Sequence, residues 1–199
     1  MAKEQRFWSR RHILASGSIA ASGLLLPSNE LLAAPPAEAT PGCGDEDEPT
    51  IPETEGPYFK PRSPLRSDLR ERGMPGQKVE LSGLVLTRLC RPIADAIVDL
   101  WHSDSNGEYD NVGFRLRGHV LTDAHGHYAF STIMPGLYPG RTRHYHVKVK
   151  APGKALLTTQ FYFPNEARNK SDGLFRRELV MRIDTGAEAL NASFDVVLA

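Results

Sequence analysis

His144 and His146 stand two positions apart in a run that reads as a β-strand. Residues i and i+2 of a strand project from the same face of a sheet, so the two imidazoles would lie side by side. That is a spacing that one metal ion can bridge. Tyr145, Val147 and Val149 alternate with the histidines and would occupy the opposite, buried face. The pattern alone is also what two solvent-exposed histidines on the outer face of a strand would show.

Two tyrosines occupy loops that could bring oxygen ligands to the same place. Tyr138 lies in the Pro- and Gly-rich stretch 135–141, and Tyr109 ends the loop 106–109 that follows the apolar run 96–101. Loops carried by a rigid scaffold commonly hold functional residues. An ionised phenol is a hard anionic oxygen ligand that suits Fe(III), and a trivalent ion can hold a phenol ionised far below its free pKa of about 10. The two tyrosines therefore strengthen the case for a metal site at the histidine pair.

The segments that carry these residues resemble a known enzyme family. They are NGEY (106–109), DAHGHYAFSTIMPGLYPGR (123–141), RHYHVKV (143–149) and TTQFYF (158–163). In this order they are similar to the intradiol ring-cleavage dioxygenases, especially the type of the protocatechuate 3,4-dioxygenase β-subunit, over residues 54–165. The resemblance implies a β-sandwich and one non-haem Fe(III) ion held by two tyrosines, two histidines and a solvent molecule. It also implies cleavage of a catecholic ring by O2 to a cis,cis-muconate-type diacid.

Carried over to this sequence, the resemblance assigns four metal ligands. Tyr109 matches the equatorial tyrosine, and Tyr138 matches the axial tyrosine that the family releases when substrate binds. His144 and His146 match the two histidines. The gap of six residues from Tyr138 to His144 is shorter than the usual spacing in the family. Because that loop shapes the substrate mouth, the identity of the catechol stays open.

The resemblance also assigns catalytic and substrate-binding residues. Tyr138, Arg141 and Gln160 match catalytic positions, with Arg141 as the active-site arginine and Gln160 as the active-site glutamine. Arg143 competes with Arg141 for the arginine's role. The segment TEGPY (54–58) resembles the one that lines the substrate pocket of relatives, and it predicts three substrate-binding residues: Gly56, Pro57 and Tyr58.

Other aromatic residues and histidines read as structural. Tyr162 is expected in the pocket wall or in packing, and Tyr128, Tyr145 and Trp101 are expected in the core. Asp123 is expected to cap a hairpin turn through its side chain. Surface or turn positions are expected for four further histidines: His102, His119, His125 and His127.

Period-2 alternation of apolar residues is the dominant secondary-structure signal in the chain. Short runs of this kind are separated by Gly, Pro and Asp, which predicts an all-β sandwich of the prealbumin or immunoglobulin kind with few short helices. The runs are 79–85, 96–101, 127–133, 145–149, 157–163, 178–183 and 194–198. A short helix is predicted over Ser63 to Glu71.

The N-terminus reads as a targeting segment. Arg10 and Arg11 precede an apolar, Gly/Ser-rich run from Ile13 to Leu26, and Ala-rich cleavage sites follow. This is the order of an export signal, and the paired arginines resemble the twin-arginine type, with a general secretory signal as the alternative. The run is shorter than the roughly 20 residues that span a bilayer as a helix. Residues 1–39 are therefore predicted to direct export to the periplasm or the extracellular space.

The mature chain is predicted to consist of an arm and one domain. Residues 40–53 are acidic and rich in Pro and Gly, which predicts an extended arm before a domain over 54–199. Cys43 and Cys90 could pair in an oxidising compartment, and two unpaired thiols are the equal alternative. The chain of 199 residues has a formal net charge of +0, so neither nucleic acid nor an anionic membrane surface is expected as a partner.

The expected partners are a catecholic small molecule and O2, with no membrane anchor after signal removal and no assignment of oligomeric state. Two other functions fit part of the sequence. A non-enzymatic prealbumin-like binding module would explain the strands and turns from Gly83 to Tyr138, but not the tyrosines, the histidine pair, Arg141 and Gln160 together. A zinc or copper site lacking the tyrosines is the other. Colour separates these possibilities, since Fe(III)–phenolate proteins are reddish and the two alternatives are not.

Overall fold

Two β-sheets form the framework of the chain between residues 48 and 199, the part that the structure, a computed structural model, describes. The predictions for the export signal and for Cys43 lie outside those residues. Within 48–199 the helices are two short 3-10 turns, Ala167–Lys170 and Arg177–Leu179. The strands are β1 (Lys78–Thr87), β2 (Ile97–Trp101), β3 (Arg117–Leu121), β4 (His127–Ile133), β5 (His144–Lys150), β6 (Leu157–Tyr162), β7 (Arg182–Thr185), β8 (Leu190–Ser193) and β9 (Val196–Leu198).

The first sheet is organised around β1, which pairs with three other strands. On one side it runs antiparallel to β4. On the other side its first half pairs in parallel with β8 and its second half with β9, and β7 pairs with β8. Val79, Leu81 and Val85 are buried in the core while Glu80, Ser82 and Leu84 between them are less buried or exposed. The predicted period-2 strand is confirmed.

The second sheet has the order β3-β2-β5-β6 and is antiparallel throughout. One row of paired residues crosses all four strands. Arg117 lies opposite Trp101, Trp101 opposite His146, and His146 opposite Gln160. Directly paired residues project from the same face of a sheet. The row therefore places a predicted ligand and a predicted catalytic residue on one face, the face opposite the core residues.

The core lies between the two sheets and confirms the predicted all-β sandwich. Because side chains alternate along each strand, each sheet presents one apolar face to the other. The second sheet contributes Val98, Leu100, Tyr145, Val147 and Val149, and the first sheet contributes Val79, Leu81, Val85, Phe130 and Ala192. The predicted core residues Trp101, Tyr128 and Tyr145 are all buried.

An extended segment, residues 54–66, crosses the outer face of the second sheet and is called the strap here. Just before it, the Glu53 amide donates to the Thr158 carbonyl on β6 (2.8 Å), and at its end the Arg66 amide donates to the His119 carbonyl on β3 (3.0 Å). Residues 48–53, in the predicted arm, have no regular structure, and the Thr50 amide donates to the Val197 carbonyl (2.9 Å). The strap covers the face that carries the row of four side chains.

The helix predicted over Ser63 to Glu71 is wrong. That segment is extended and forms isolated bridges from Leu65 to His119 and from Asp68 to Ser131. Pro64 has no amide to donate, and backbone bonds to the edges of both sheets satisfy its neighbours. The run 178–183 is also only partly a strand, since it starts in the second 3-10 turn and enters β7 at Arg182. No helix within residues 48–199 has the length and apolarity needed to cross a membrane.

Candidate active site

The two predicted histidine ligands lie next to each other on β5. Their Nε2 atoms are 3.2 Å apart, and Nδ1 of His144 lies 2.7 Å from the Thr142 carbonyl oxygen. A carbonyl only accepts, so His144 must donate through Nδ1, which leaves its Nε2 with a free lone pair. His144 is 2% exposed and His146 is 1% exposed. The histidines are therefore buried, although they lie outside the apolar core as the sequence pattern predicted.

An aromatic plate fixes the second imidazole. The Trp101 ring stacks on the His146 ring with centroids 5.0 Å apart and an interplanar angle of 7°. A Cβ atom on Gly56 would lie 3.1 Å from Cε1 of His146, and Gly56 has φ +70°. Only glycine adopts that backbone conformation readily and allows so close an approach. The strap and Trp101 thus enclose His146 on two sides.

The two predicted tyrosine ligands converge on the histidine pair from separate loops. The Tyr138 hydroxyl lies 3.4 Å from Nε2 of His144. The Tyr109 ring lies 5.8 Å from the Tyr138 ring and 6.1 Å from the His146 ring, measured between centroids. All four predicted ligands therefore lie together in one cluster.

Two glycines let the tyrosine loops pack backbone against backbone. A Cβ on Gly136 would lie 2.2 Å from the Gly107 amide nitrogen, and a Cβ on Gly107 would lie 2.4 Å from the Leu137 carbonyl oxygen. The amides of both glycines donate to the Asp104 carbonyl, at 3.0 and 2.7 Å. The glycines before Tyr109 and Tyr138 therefore set how closely the two phenols approach each other.

Arg141 lies in the site, and its guanidinium contacts three site residues. Nη1 donates to the Tyr138 hydroxyl (3.2 Å), Nη2 to Oε1 of Gln160 (2.6 Å), and Nε to Oδ2 of Asp172 (2.9 Å). Arg143 instead forms an ion pair with Glu166 (3.0 Å) and donates to a backbone carbonyl. Of the two candidate arginines, the structure places Arg141 against the predicted catalytic residues.

Gln160 connects Arg141 to the strap. Its Oε1 accepts from Arg141, and its Nε2 donates to the Thr54 carbonyl (2.9 Å). The Tyr162 hydroxyl lies 3.1 Å from Oε1 of Gln160 and 2.7 Å from the Leu174 carbonyl. Both polar ends of the buried amide thus have partners, as buried polar groups usually do.

The predicted substrate-binding residues lie on the strap beside the ligands. The Tyr58 ring stacks on the Tyr109 ring (4.3 Å, 14°) and meets the Tyr138 ring edge-on (6.4 Å, 87°). Nη1 of the buried Arg117 donates to the Tyr58 carbonyl (2.6 Å) and holds this part of the strap against the sheet. Pro57 is exposed.

Burial determines the protonation of the site in the absence of an ion. It raises the pKa of Tyr109 and of Tyr138, and the nearby Arg141 opposes the rise for both. It lowers the pKa of His144 to about 4 and that of His146 well below its ordinary value, with Arg141 adding to both effects. The imidazoles are thus in the neutral form that binds metals, whereas the phenols would ionise only beside a strong cation.

The side chains present fit a single ferric ion. Two nitrogens that each lie about 2.1 Å from an ion and 3.2 Å from each other subtend an angle of about 100° at it, which is normal for neighbouring ligands. Between residues 48 and 199 no group of three or more His, Cys, Asp or Glu is arranged to hold a metal. A metal here would depend on the tyrosines, and phenolates favour Fe(III) over the zinc or copper alternative.

A family model described as a dioxygenase matches residues 54–199. The chain belongs to the intradiol dioxygenase family. The protocatechuate 3,4-dioxygenase beta chain of Burkholderia cepacia is 31% identical over 68% of this chain and 72% of that protein. The chlorocatechol 1,2-dioxygenase of Pseudomonas sp. (strain P51) is 31% identical over 56% of this chain and 55% of that protein. The chain thus spans about half the length of some curated relatives.

Solved structures agree with this family membership. The dioxygenase domain of a dioxygenase–carbohydrate-binding protein fusion from Streptomyces sp. SirexAA-E is 48% identical, has a TM-score of 0.74, and is matched over 76% of this chain and 98% of that one. The 3-chlorocatechol 1,2-dioxygenase of Rhodococcus opacus 1CP is 26% identical with a TM-score of 0.70, over 75% and 72% of the two chains. These relatives are named as dioxygenases, which favours an enzyme over the binding module.

Several residues of this intradiol dioxygenase site were missed by sequence reasoning. Trp101 is buried as expected, but it lies on the face opposite the core cluster and forms one wall of the site. Arg117 begins β3, a strand that the sequence analysis did not predict, and it shares the row of His146 only through the register of the sheet. Asp172 carries no local signal: it is 31 residues from Arg141, in a loop without a recognisable motif.

Two histidines were misplaced by the sequence. His119 was expected at the surface or in a turn, but it lies half-buried in β3, with Nδ1 3.1 Å from the Ser63 hydroxyl. His102 was expected at the surface or in a turn, but it is buried directly after β2. Its ring nitrogens lie 2.7 Å from the Ser103 carbonyl and 2.7 Å from Oγ1 of Thr132. Two hydrogen bonds make the neutral ring acceptable inside the protein. His125 and His127 are exposed beside the turn that Asp123 caps, as predicted.

Proposed function

We propose that the protein is an Fe(III)-dependent intradiol dioxygenase that cleaves a catecholic ring with O2 between its two hydroxyl-bearing carbons. The product would be a cis,cis-muconate-type diacid containing both oxygen atoms. The observation that carries this proposal is the clustering of Tyr109, Tyr138, His144 and His146, with two imidazole nitrogens 3.2 Å apart. When bound by these four side chains, Fe(III) supplies a Lewis-acidic centre for the two catechol oxygens and makes the ring reactive towards O2.

Tyr138 is the residue that handles a substrate proton. Its hydroxyl is the ligand oxygen in contact with Arg141, at 3.2 Å. In its ionised form, this oxygen would accept a proton from a catechol hydroxyl. Arg141 donates to this oxygen and stabilises negative charge beside it, as preorganised donors do where charge develops.

The remaining residues orient the substrate and the ligands. The bond from Nδ1 of His144 to the Thr142 carbonyl fixes the tautomer that presents Nε2. Gln160, held by Arg141 and by the strap, limits where the ring can lie. Tyr58 lies against Tyr109 and presents an aromatic surface for a planar substrate.

The test begins with a visible absorption spectrum and iron analysis of the purified protein. A phenolate-to-iron band that shifts when protocatechuate is added under nitrogen is expected, followed by O2 uptake and diacid formation when air is admitted. Tyr109→Phe should abolish or shift the band, whereas Tyr128→Phe, a buried tyrosine whose hydroxyl donates to Phe194, should leave it unchanged. A protein that stays colourless after reconstitution with iron would rule out the proposed function.

We further propose that residues 1–39 direct export by the twin-arginine route. The proposal rests on Arg10 and Arg11 before the weakly apolar run that follows. Replacing both arginines by lysine preserves the positive charge and should retain the protein in the cytoplasm, as measured by cell fractionation. Arg6→Lys, outside the pair, is the matched control and should leave export unchanged. Continued export of the double variant would indicate a general secretory signal.

A further inference from the structure

A buried carboxylate lies behind Arg141, on the side away from Tyr138. The Asp172 side chain is 1% exposed and accepts three hydrogen bonds. Oδ2 accepts from Nε of Arg141 and from the Thr142 amide, both at 2.9 Å, and Oδ1 accepts from the Leu174 amide at 2.9 Å. Burial by itself would raise the pKa of this carboxyl, but the donors outweigh that effect and the pKa is lowered.

Oδ2 fixes the direction in which the guanidinium points. Guanidinium is planar and its donors have fixed relative directions. With Nε held by Asp172, Nη1 and Nη2 are the donors left to face the site, and they contact Tyr138 and Gln160. Without Asp172, the long side chain of Arg141 would be free to choose other rotamers, and the two donors would no longer be preorganised.

The same oxygen also fixes the backbone next to Arg141. It accepts from the Thr142 amide, and the Thr142 carbonyl is the group that holds Nδ1 of His144. The Thr142 hydroxyl donates to Oδ1 of Asn169 (2.6 Å), so this residue is anchored from two sides. If Asp172 only capped its own loop, the bond from the Leu174 amide to Oδ1 would be enough. The bonds that Oδ2 accepts from Arg141 and Thr142 would then serve no purpose.

We propose that Asp172 is a positioning residue that acts through Arg141, aiming its guanidinium at the Tyr138 oxygen and at Gln160. The proposal rests on the proposed function, because it assigns Asp172 to the same reaction. Its consequence is that the loop between the two 3-10 turns, which is 31 residues from Arg141 in the chain, forms part of the catalytic machinery.

A double-mutant cycle tests this role in the iron-loaded enzyme. Asp172→Asn keeps the shape of the side chain but removes the charge, and kcat should fall about tenfold with a smaller change in KM. Arg141→Met should lower kcat further. The double variant should match Arg141→Met within about twofold, because a residue that acts only through Arg141 has no effect once Arg141 is absent. Asp123→Asn, an exposed turn cap, should leave kcat unchanged.

Multiplicative losses in the double variant would overturn the proposal, since Asp172 would then act independently of Arg141. If Asp172→Asn does not fold, Asp172→Glu serves in the same cycle, because it keeps the charge and displaces the carboxylate by one methylene. A wild-type protein without an iron band or O2 uptake would refute the proposed function instead. In that case, NMR of the iron-free protein still tests the contact between Arg141 and Asp172. The Nε–H proton of Arg141 should exchange with solvent slowly in the wild type and faster in Asp172→Asn. Equal exchange in both would overturn the positioning role.

Discussion

The Nε2 atoms of His144 and His146 face each other at 3.2 Å inside the protein. Because His144 donates through Nδ1, a hydrogen bond between the two Nε2 atoms requires His146 to carry its proton on Nε2. Nδ1 of His146 is then a bare acceptor, and it is buried without a hydrogen-bond partner in the part of the chain described. A metal ion would replace this arrangement with two coordinated nitrogens and free Nδ1 of His146 to carry the proton.

Metal removal should therefore lower the stability of the protein. A ligand that binds only the folded state stabilises it by about 4 kcal/mol at a thousandfold excess over Kd. Stripping iron with a chelator should lower Tm, and adding ferric ion back should restore it. In His146→Gln, adding ferric ion should change Tm little. In His127→Gln, which alters an exposed histidine, ferric ion should raise Tm as much as in the wild type. Equal restoration in both variants would contradict the assignment of His146.

Stability should fall as the pH drops from about 6.5 to about 4. Burial lowers the pKa of His102 to about 4, from 6.5 for a free imidazole. The unfolded chain therefore takes up a proton at a higher pH than the native state does, so acid favours unfolding. This one residue contributes up to about 3 kcal/mol over that interval. The free energy of unfolding, measured by urea unfolding at several pH values across this range, should depend less steeply on pH in His102→Asn than in the wild type. The same pH dependence in both proteins would refute the expectation.

Gly136→Ala should disturb both tyrosine loops at once. The added methyl would meet the Gly107 amide at 2.2 Å, so the loops must separate, at a cost on the order of 2 kcal/mol. Iron affinity should fall as well, because Tyr109 and Tyr138 follow the two glycines. Gly173→Ala is the matched control, since its methyl meets nothing within 4 Å. Thermal unfolding and iron titration of both variants check this, and equal behaviour would count against the loop contact.

Two buried tyrosines that donate to backbone carbonyls should differ in their effect on activity. Tyr162 donates to the Leu174 carbonyl and lies 3.1 Å from Gln160, while Tyr145 donates to the Ile133 carbonyl (3.0 Å) in the core. Replacement by phenylalanine should cost each protein about 1–2 kcal/mol. In Tyr162→Phe, kcat should also fall about three- to tenfold, because Gln160 and the loop of Asp172 lose a contact. Equal kcat values for the two variants would contradict this.

Most of the strands and the placement of the histidine pair follow from local features of the sequence, whereas β3 and β8 were not predicted. Period-2 alternation is a property of neighbouring residues, and it located most of the strands, including β4 at its observed bounds. The spacing of His144 and His146 was enough to place both imidazoles on one face. Short-range patterns of this kind are legible because a strand turns sequence spacing directly into direction in space.

Only the tertiary structure decided that the outer face of the second sheet is covered, and that the strap covers it. The segment 63–71, which reads as a helix, instead forms the end of the strap and the extended stretch that follows it, because bonds to the edges of two sheets outweigh its weak local helix preference. Packing of the second sheet against β4 buried His102, and the course of the strap brought the Tyr58 carbonyl to Arg117.

Asp172 reached Arg141 across 31 residues of chain. Contacts of this kind depend on strand order and on the course of the loops. Neither is encoded in the spacing of adjacent residues, because they result from the simultaneous packing of all the strands.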